Sequence, residues 1–301
     1  TFGLFFQDFA KLGSRLVIAG SVRYESRSNY NALSSTRTLS TNITVTTKFP
    51  DRNEDAISPQ ISMLYHLSDR LSFYANASRS FRSPTLNELY RGFRVGNVLT
   101  TANENLKAER ANNIEGGISL IRKRFALRSS VFWTGIDSPV ANVTVTSTPV
   151  LITRQRQNAG TTRSTGVEIE AETSLKQVDF SASYLFADSI VTSFPSNPAI
   201  VGLVIPQVPR HQFTCQARYS RAKWTLAVQG RASGEQFDDD LNQFRLEPYA
   251  QVDVFVSRKI GEKVQIYAAI ENIFNSRYSV GKTPIRTVSS PTNLRIGFRW
   301  N

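Results

Sequence analysis

The chain has 301 residues, 40% hydrophobic and 20% charged, with 16 Gly and 12 Pro in no short period; such a composition folds, and it excludes disordered, collagen-like and low-complexity classes. A single cysteine, Cys215, excludes a disulfide framework, a cysteine-based zinc site and an iron–sulfur cluster, and two histidines, His66 and His211, leave little for histidine-rich metal or acid–base chemistry. The formal charge is +12, from 36 Lys and Arg against 24 Asp and Glu, but the basic residues lie singly and form no nucleic-acid-binding motif, so no nucleic acid is expected as a partner.

No stretch approaches the ~18–20 uninterrupted apolar residues of a membrane-spanning helix, and the hydrophobic period is two rather than 3.6. In chain order, alternating runs predict thirteen strands, near residues 3–11, 15–27, 57–67, 70–81, 109–121, 124–136, 164–175, 178–190, 210–220, 223–236, 248–260, 263–273 and 292–300. In the fourth, Leu71, Phe73, Ala75 and Ala77 alternate with Ser72, Tyr74, Asn76 and Ser78. In the seventh, Val167, Ile169 and Ala171 alternate with Glu168, Glu170 and Glu172. Faces so different in polarity must meet different solvents.

The connections alternate in length. Short ones at 12–14, 68–69, 122–123, 176–177, 221–222 and 261–262 read as tight hairpins, while long ones cover 28–56, 82–108, 137–163, 191–209, 237–247 and 274–291. Short turns on one side and long loops on the other are the plan of an outer-membrane barrel, and several runs exceed the ~9–11 residues a tilted strand needs to cross a bilayer. Aromatics near run ends, among them Tyr24, Tyr65, Phe81, Trp133, Phe186 and Trp224, fit interfacial girdles. A soluble β-sandwich would show shorter strands and no sorting of turns by length. The expected fold is all-β: a partial antiparallel transmembrane β-barrel with short periplasmic turns and long extracellular loops.

Residues 79–110, RSFRSPTLNELYRGFRVGNVLTTANENLKAER, hold an aromatic-Arg-x-Pro-Thr-x-x-Glu-Leu-Tyr stretch and then Asn-x-x-Leu-Lys-x-Glu. FFQDF at 5–9, NAG and TGVEIE within 158–170, ENIFNSRY at 271–278 and LRIGFRW at 294–300 accompany it. Together these motifs resemble the barrel segment of TonB-dependent outer-membrane receptors. The resemblance implies a whole barrel of ~22 strands closed by a plug. Residues 1–301 are then expected to be the C-terminal portion of such a barrel, thirteen strands without the plug domain and incomplete alone. It further implies a Gram-negative outer-membrane location, contact with outer-membrane lipid and lipopolysaccharide, no cofactor, and a TonB complex as partner through an N-terminal region outside this chain. The implied activity is uptake of a scarce nutrient, foremost a ferric siderophore. Cobalamin or carbohydrate uptake and a passive diffusion porin are the alternatives.

Enzymatic activity is not expected, because His66 ends the third strand at the periplasmic side and His211 starts the ninth at the extracellular side, too far apart to share a site. Lumenal Glu168, Glu170, Glu172, Asp179, Asp253 and Glu271 against Arg128, Arg218, Arg231 and Arg295 read as a hydrated, salt-bridged wall. Ligand contact is expected in the long loops, where arginines have aromatic neighbours: Arg82, Tyr90, Arg91, Phe93 and Arg94, then Arg154, Arg156 and Arg163, then Phe237 and Arg245. A guanidinium beside an aromatic ring suits planar anionic ligands through paired hydrogen bonds and stacking. Asp238, Asp239 and Asp240 are weak calcium candidates, since successive side chains on an extended backbone diverge. Cys215, in register with Phe213 and Ala217, is expected to face lipid and be inert.

Overall fold

The computed structural model describes residues 1–300. Thirteen strands form one antiparallel sheet, each hydrogen-bonded to the next in chain order: β1 (Phe2–Leu12), β2 (Leu16–Asn29), β3 (Arg52–His66), β4 (Leu71–Arg82), β5 (Glu109–Arg122), β6 (Phe125–Asp137), β7 (Thr161–Leu175), β8 (Val178–Ser193), β9 (His211–Arg221), β10 (Trp224–Ser233), β11 (Tyr249–Ile260), β12 (Val264–Glu271) and β13 (Asn293–Trp300). Every alternating run of the sequence is one of these strands. β1 and β13 each pair on one side, so the sheet is an open, partial barrel. Tight hairpins join β1 to β2, β3 to β4 and so on to β12, several with a left-handed residue at the turn such as Gly13, Lys176 or Ala222. The long connections all leave from the opposite end.

Several strands run further than their alternation indicated, two of them at their loop-side starts. β3 starts at Arg52 rather than near 57, paired through Ser26↔Asp55 to Asn29↔Arg52, and β7 starts at Thr161 rather than 164. These extensions are polar on both faces because they stand clear of the bilayer, where both sides meet water and the period-two signal vanishes.

Cross-strand contacts identify the lumenal face. Ser62 donates to Asn76 at 2.9 Å, Tyr74 to Glu115 at 2.9 Å and Thr134 to Asn113 at 3.0 Å, and Arg128 lies 3.6 Å from Glu170 and 3.7 Å from Glu172. His66 meets Ser72 on this face. The outward face is apolar and uncovered, with Ile61 57% exposed, Val131 59% and Ile296 71%. A soluble protein would cover such a surface; a membrane barrel offers it to lipid. The main buried apolar cluster lies instead at the loop end, where Val143, Ala159, Val191, Phe194 and Ile200 pack together.

Lumenal aromatics lie over glycines of the neighbouring strand: Tyr74 over Gly117, Phe132 over Gly166 and Tyr267 over Gly297. A flat ring on a bare backbone keeps water from the ladder and fixes the register of two strands at once.

Candidate functional site

The loop end is built from secondary structure of its own. Between β4 and β5 a short helix, α1 (Leu86–Tyr90), begins at Thr85, whose hydroxyl accepts from the Glu88 amide while the Glu88 carboxylate accepts from the Thr85 amide. This reciprocal cap is why the Thr-x-x-Glu spacing forms a helix here. Arg82 closes the element from the end of β4, donating to Glu109 at 2.6 and 2.7 Å and to Glu88 at 3.0 and 3.2 Å. Burial pushes the Glu88 carboxyl up, but hydrogen bonds from Arg82 and Thr85 outweigh it and hold the group below the usual carboxylate range.

The loops before β5 and before β7, read separately in the sequence, fold into one four-stranded sheet. Residues 140–147 pair with 152–158, which runs parallel to 98–101, which pairs with 93–95. Asn158 fastens the sheet to the barrel, accepting from the Lys107 amide and donating to the Lys107 and Ser138 carbonyls. Arg156 donates to the carbonyls of Asn87 and Arg91 and lies 5.3 Å over the Phe93 ring. The motif residues that carry the family resemblance are therefore largely clasps that hold loops.

Beneath this sheet, toward the lumen, a cavity of ≈ 500 Å³ opens between four loops. Its floor is apolar, with Val143, Val191 and Ile200, and its polar lining includes Arg154, Asn142, Gln207 and Thr283 together with Asp238, Asp239 and Asp240. Arg154 donates to Thr283 at 3.4 Å, and its Nε is buried without a partner. Asn142, Gln207 and Thr283 were not singled out from the sequence, because they lie on three loops and no local pattern connects them.

The expected ligand residues scatter over several environments. Arg154 lines the cavity. Tyr90 and Arg91 border a separate polar cleft of ≈ 770 Å³ between α1 and the hairpin 33–38/43–48, where Tyr90 packs on Phe49 with ring centroids 4.5 Å apart. Arg82 and Arg156 are committed to loop backbone and carboxylates, Arg94 donates to the Gly96 carbonyl at 3.0 Å, and exposed Arg245 pairs with Glu235 at 2.6 Å. Phe237 belongs to the two-residue ladder 236–237/245–246 and accepts from the Gln207 amide. Arg163 lies on β7 with the parity of Val167 and Ile169, on the outer surface and away from the cavity.

The three aspartates do not converge. Asp238 accepts from the Lys282 and Thr283 amides, the Thr283 hydroxyl and the Gln207 amide, all within 2.7–2.8 Å. Asp239 is buried and caps its own turn at Leu241, Gln243 and Phe244. Asp240 accepts from the Thr144 amide and hydroxyl at 2.9 and 2.8 Å. Their oxygens are taken up by donors of three segments, and no group of three His, Cys, Asp or Glu side chains suited to a metal occurs among the described residues. The calcium expectation gives way to three loop clasps.

Burial raises the Asp238 carboxyl, yet its hydrogen bonds outweigh that and hold it below its ordinary value of 3.8. A depressed carboxyl stabilises the fold above that value, and the contribution is lost as pH falls through the lower value of the folded state. The clasp between residues 234–248 and 272–292 is thus expected to loosen below pH ~4. Protease cleavage within 272–292 measured across pH should rise there, and Asp238→Asn should bring that cleavage to neutral pH.

A family model described as "TonB dependent receptor-like, beta-barrel" matches residues 1–273. The chain is 24% identical over 228 residues to the Vitamin B12 transporter BtuB of Photobacterium profundum, covering 74% of this chain and 35% of that protein. Two solved structures superpose over 99% of the chain. Copper transporter OprC does so with a TM-score of 0.79 at 16% identity, 47% of it being covered, and the ferric yersiniabactin uptake receptor FyuA from Yersinia pestis with 0.75 at 19%, 45% being covered. These superpositions show a shared fold. The chain spans about a third of the length of the curated relatives it matches.

Proposed function

The chain belongs to the TonB-dependent receptor-like β-barrel family, integral proteins of the Gram-negative outer membrane, and from that premise we propose that it is the C-terminal part of a nutrient-uptake receptor energised by TonB, with a ferric siderophore as its cargo. The observation that carries this reading is the loop end. Four long loops are joined by side-chain clasps around one cavity, and a fifth is paired to one of them in a sheet, an organisation that a ligand-selective receptor needs and an open pore does not. An apolar floor with a guanidinium, neutral hydrogen-bonding groups and three aspartates whose oxygens are taken up by loop donors suits a ligand that combines apolar bulk with acceptor oxygens, and ferric siderophores combine both. The relatives are transporters and receptors, and the cargoes they are named for include a siderophore complex, vitamin B12 and copper.

The test is titration of the product of the whole open reading frame with iron-loaded hydroxamate, catecholate and carboxylate siderophores and with cobalamin. Saturable binding of one ferric siderophore is expected, weakened ~10-fold by Arg154→Ala through loss of a charged hydrogen-bond donor. Binding of cobalamin alone would move the substrate, and binding of none would contradict the siderophore receptor.

A further inference from the structure

The hairpin 33–38/43–48, between β2 and β3, is a sheet of two strands only, paired from Leu33↔Lys48 to Thr38↔Ile43. The cleft of ≈ 770 Å³ beside it is lined on one side by the unbroken run 28–36 and on the other by Leu86, Asn87, Tyr90 and Arg91, with nothing from 43–48. Successive residues of a strand point to opposite faces, so a lining that uses all of them meets the strand edge-on. The edge of 33–38 that has no partner is therefore the one that borders the cleft. Such an edge offers a row of backbone N–H and C=O groups to a further strand.

The opposite wall is firm. α1 is held by its reciprocal cap at Thr85 and by Arg156 on the carbonyls of Asn87 and Arg91, while Tyr90 packs on Phe49 at the foot of the hairpin. An extended segment laid between a sheet edge and a helix gains ladder hydrogen bonds from one and side-chain contacts from the other. Loops at this end of the barrel already join in that way, since 152–158 takes 98–101 as a parallel neighbour. The start of β1 lies beside the cleft: Phe2 pairs with Ser26, so backbone leading into Thr1 comes level with Ser28, where the lining begins.

On the reading that residues 1–301 are the C-terminal part of a longer barrel, we propose that the loop leading into Thr1 lays an extended segment along Leu33–Thr38 as the third strand of that sheet and fills the cleft against α1. Arg91 is the one charged side chain of the lining and has no carboxylate partner among the described residues, so the segment sets an acidic residue against it. Two loops then form one wall, and Tyr90 and Arg91 face a neighbouring loop rather than cargo.

Backbone amide exchange on the product of the whole open reading frame tests this. The two strands of a lone hairpin exchange alike, whereas a third strand should slow amides within 33–38 by ~10-fold or more relative to those within 43–48. Replacing the loop before Thr1 by a Gly-Ser linker of equal length should abolish the difference, with heat-modifiable migration reporting the folded barrel. Arg91→Glu, with the loop intact, should reduce it several-fold by repulsion. Equal exchange of the two strands in the unmodified protein, or a difference that the linker or Arg91→Glu leaves unchanged, would overturn the proposal. Siderophore titration of the same preparation reads the receptor assignment separately: saturable binding with equal exchange sinks the added strand alone, and a protected strand without binding sinks the cargo alone.

Discussion

Gly166→Val is expected to abolish assembly of the barrel wall. Gly166 stands on the lumenal face of β7 beneath the Phe132 ring, and a Cβ there would lie 2.1 Å from the Phe186 carbonyl oxygen and 2.5 Å from the Phe132 Cζ. The ring can turn away, but the carbonyl belongs to the β7–β8 ladder, so relief requires parting two strands paired from Thr161↔Ser193 to Leu175↔Val178. Overpacking against movable side chains costs ~1–3 kcal/mol, and a clash with fixed backbone costs more. Heat-modifiable gel migration of the outer-membrane fraction should show no folded band for Gly166→Val. Phe132→Ala, which removes the ring and leaves the ladder intact, should keep one. Wild-type folding of the valine variant would mean that the register of β7 on β8 is wrong.

The second large effect is expected at Asn272. This residue follows β12 with φ at 53° and is 1% exposed. Its amide donates to the Ser276 and Ser290 carbonyls at 3.0 and 2.9 Å, its side-chain oxygen accepts from the Ser276 amide at 2.8 Å, and its own N–H reaches Asp253 at 2.7 Å. Asn272→Ala leaves the Ser276 amide and the Ser290 carbonyl without this partner, the Ser276 carbonyl keeping the Ser289 hydroxyl, and places a Cβ residue without Asn's local hydrogen bonding in left-handed conformation; at ~1–3 kcal/mol per unsatisfied group, the loop loses about 2 kcal/mol or more. Because the strands on either side are untouched, the expected result is rapid protease cleavage within 272–292 on intact cells with the barrel still folded. Asn272→Gly, which restores backbone freedom and not the hydrogen bonds, should be nearly as sensitive. Resistance equal to wild type in both variants would show that Asn272 does not hold the loop.

The barrel wall was legible because two solvents impose one period. Wherever one face of a strand meets lipid and the other the lumen, as in Leu71–Ser78 or Val167–Glu172, alternation reports the register residue by residue. At Arg52–Asp55 and Thr161–Arg163 both faces are wet, and the signal stops before the strand does. The loop end was far less legible, since its contacts are non-local. Asp240 meets Thr144 across 96 residues and Asp238 meets Thr283 across 45, so a run of three acids that reads as one cluster serves three partners. Arg154 and Arg163 are nine residues apart in the chain, yet one lines the cavity and the other faces the membrane side, because β7 begins between them. The recognised motifs were informative about family and poor guides to ligand for one reason. Glu88, Asn158 and Asn272 cap and fasten loops, a task independent of the cargo.

The central claim, energised uptake through this barrel, is tested most directly by iron accumulation. Iron-starved cells lacking their other siderophore receptors and expressing the whole open reading frame would be supplied with the radio-iron complex of the siderophore that binds, with and without functional TonB. The account predicts accumulation that requires TonB and saturates with ligand. Accumulation that persists without TonB and rises linearly with concentration would contradict it and make the protein a passive pore.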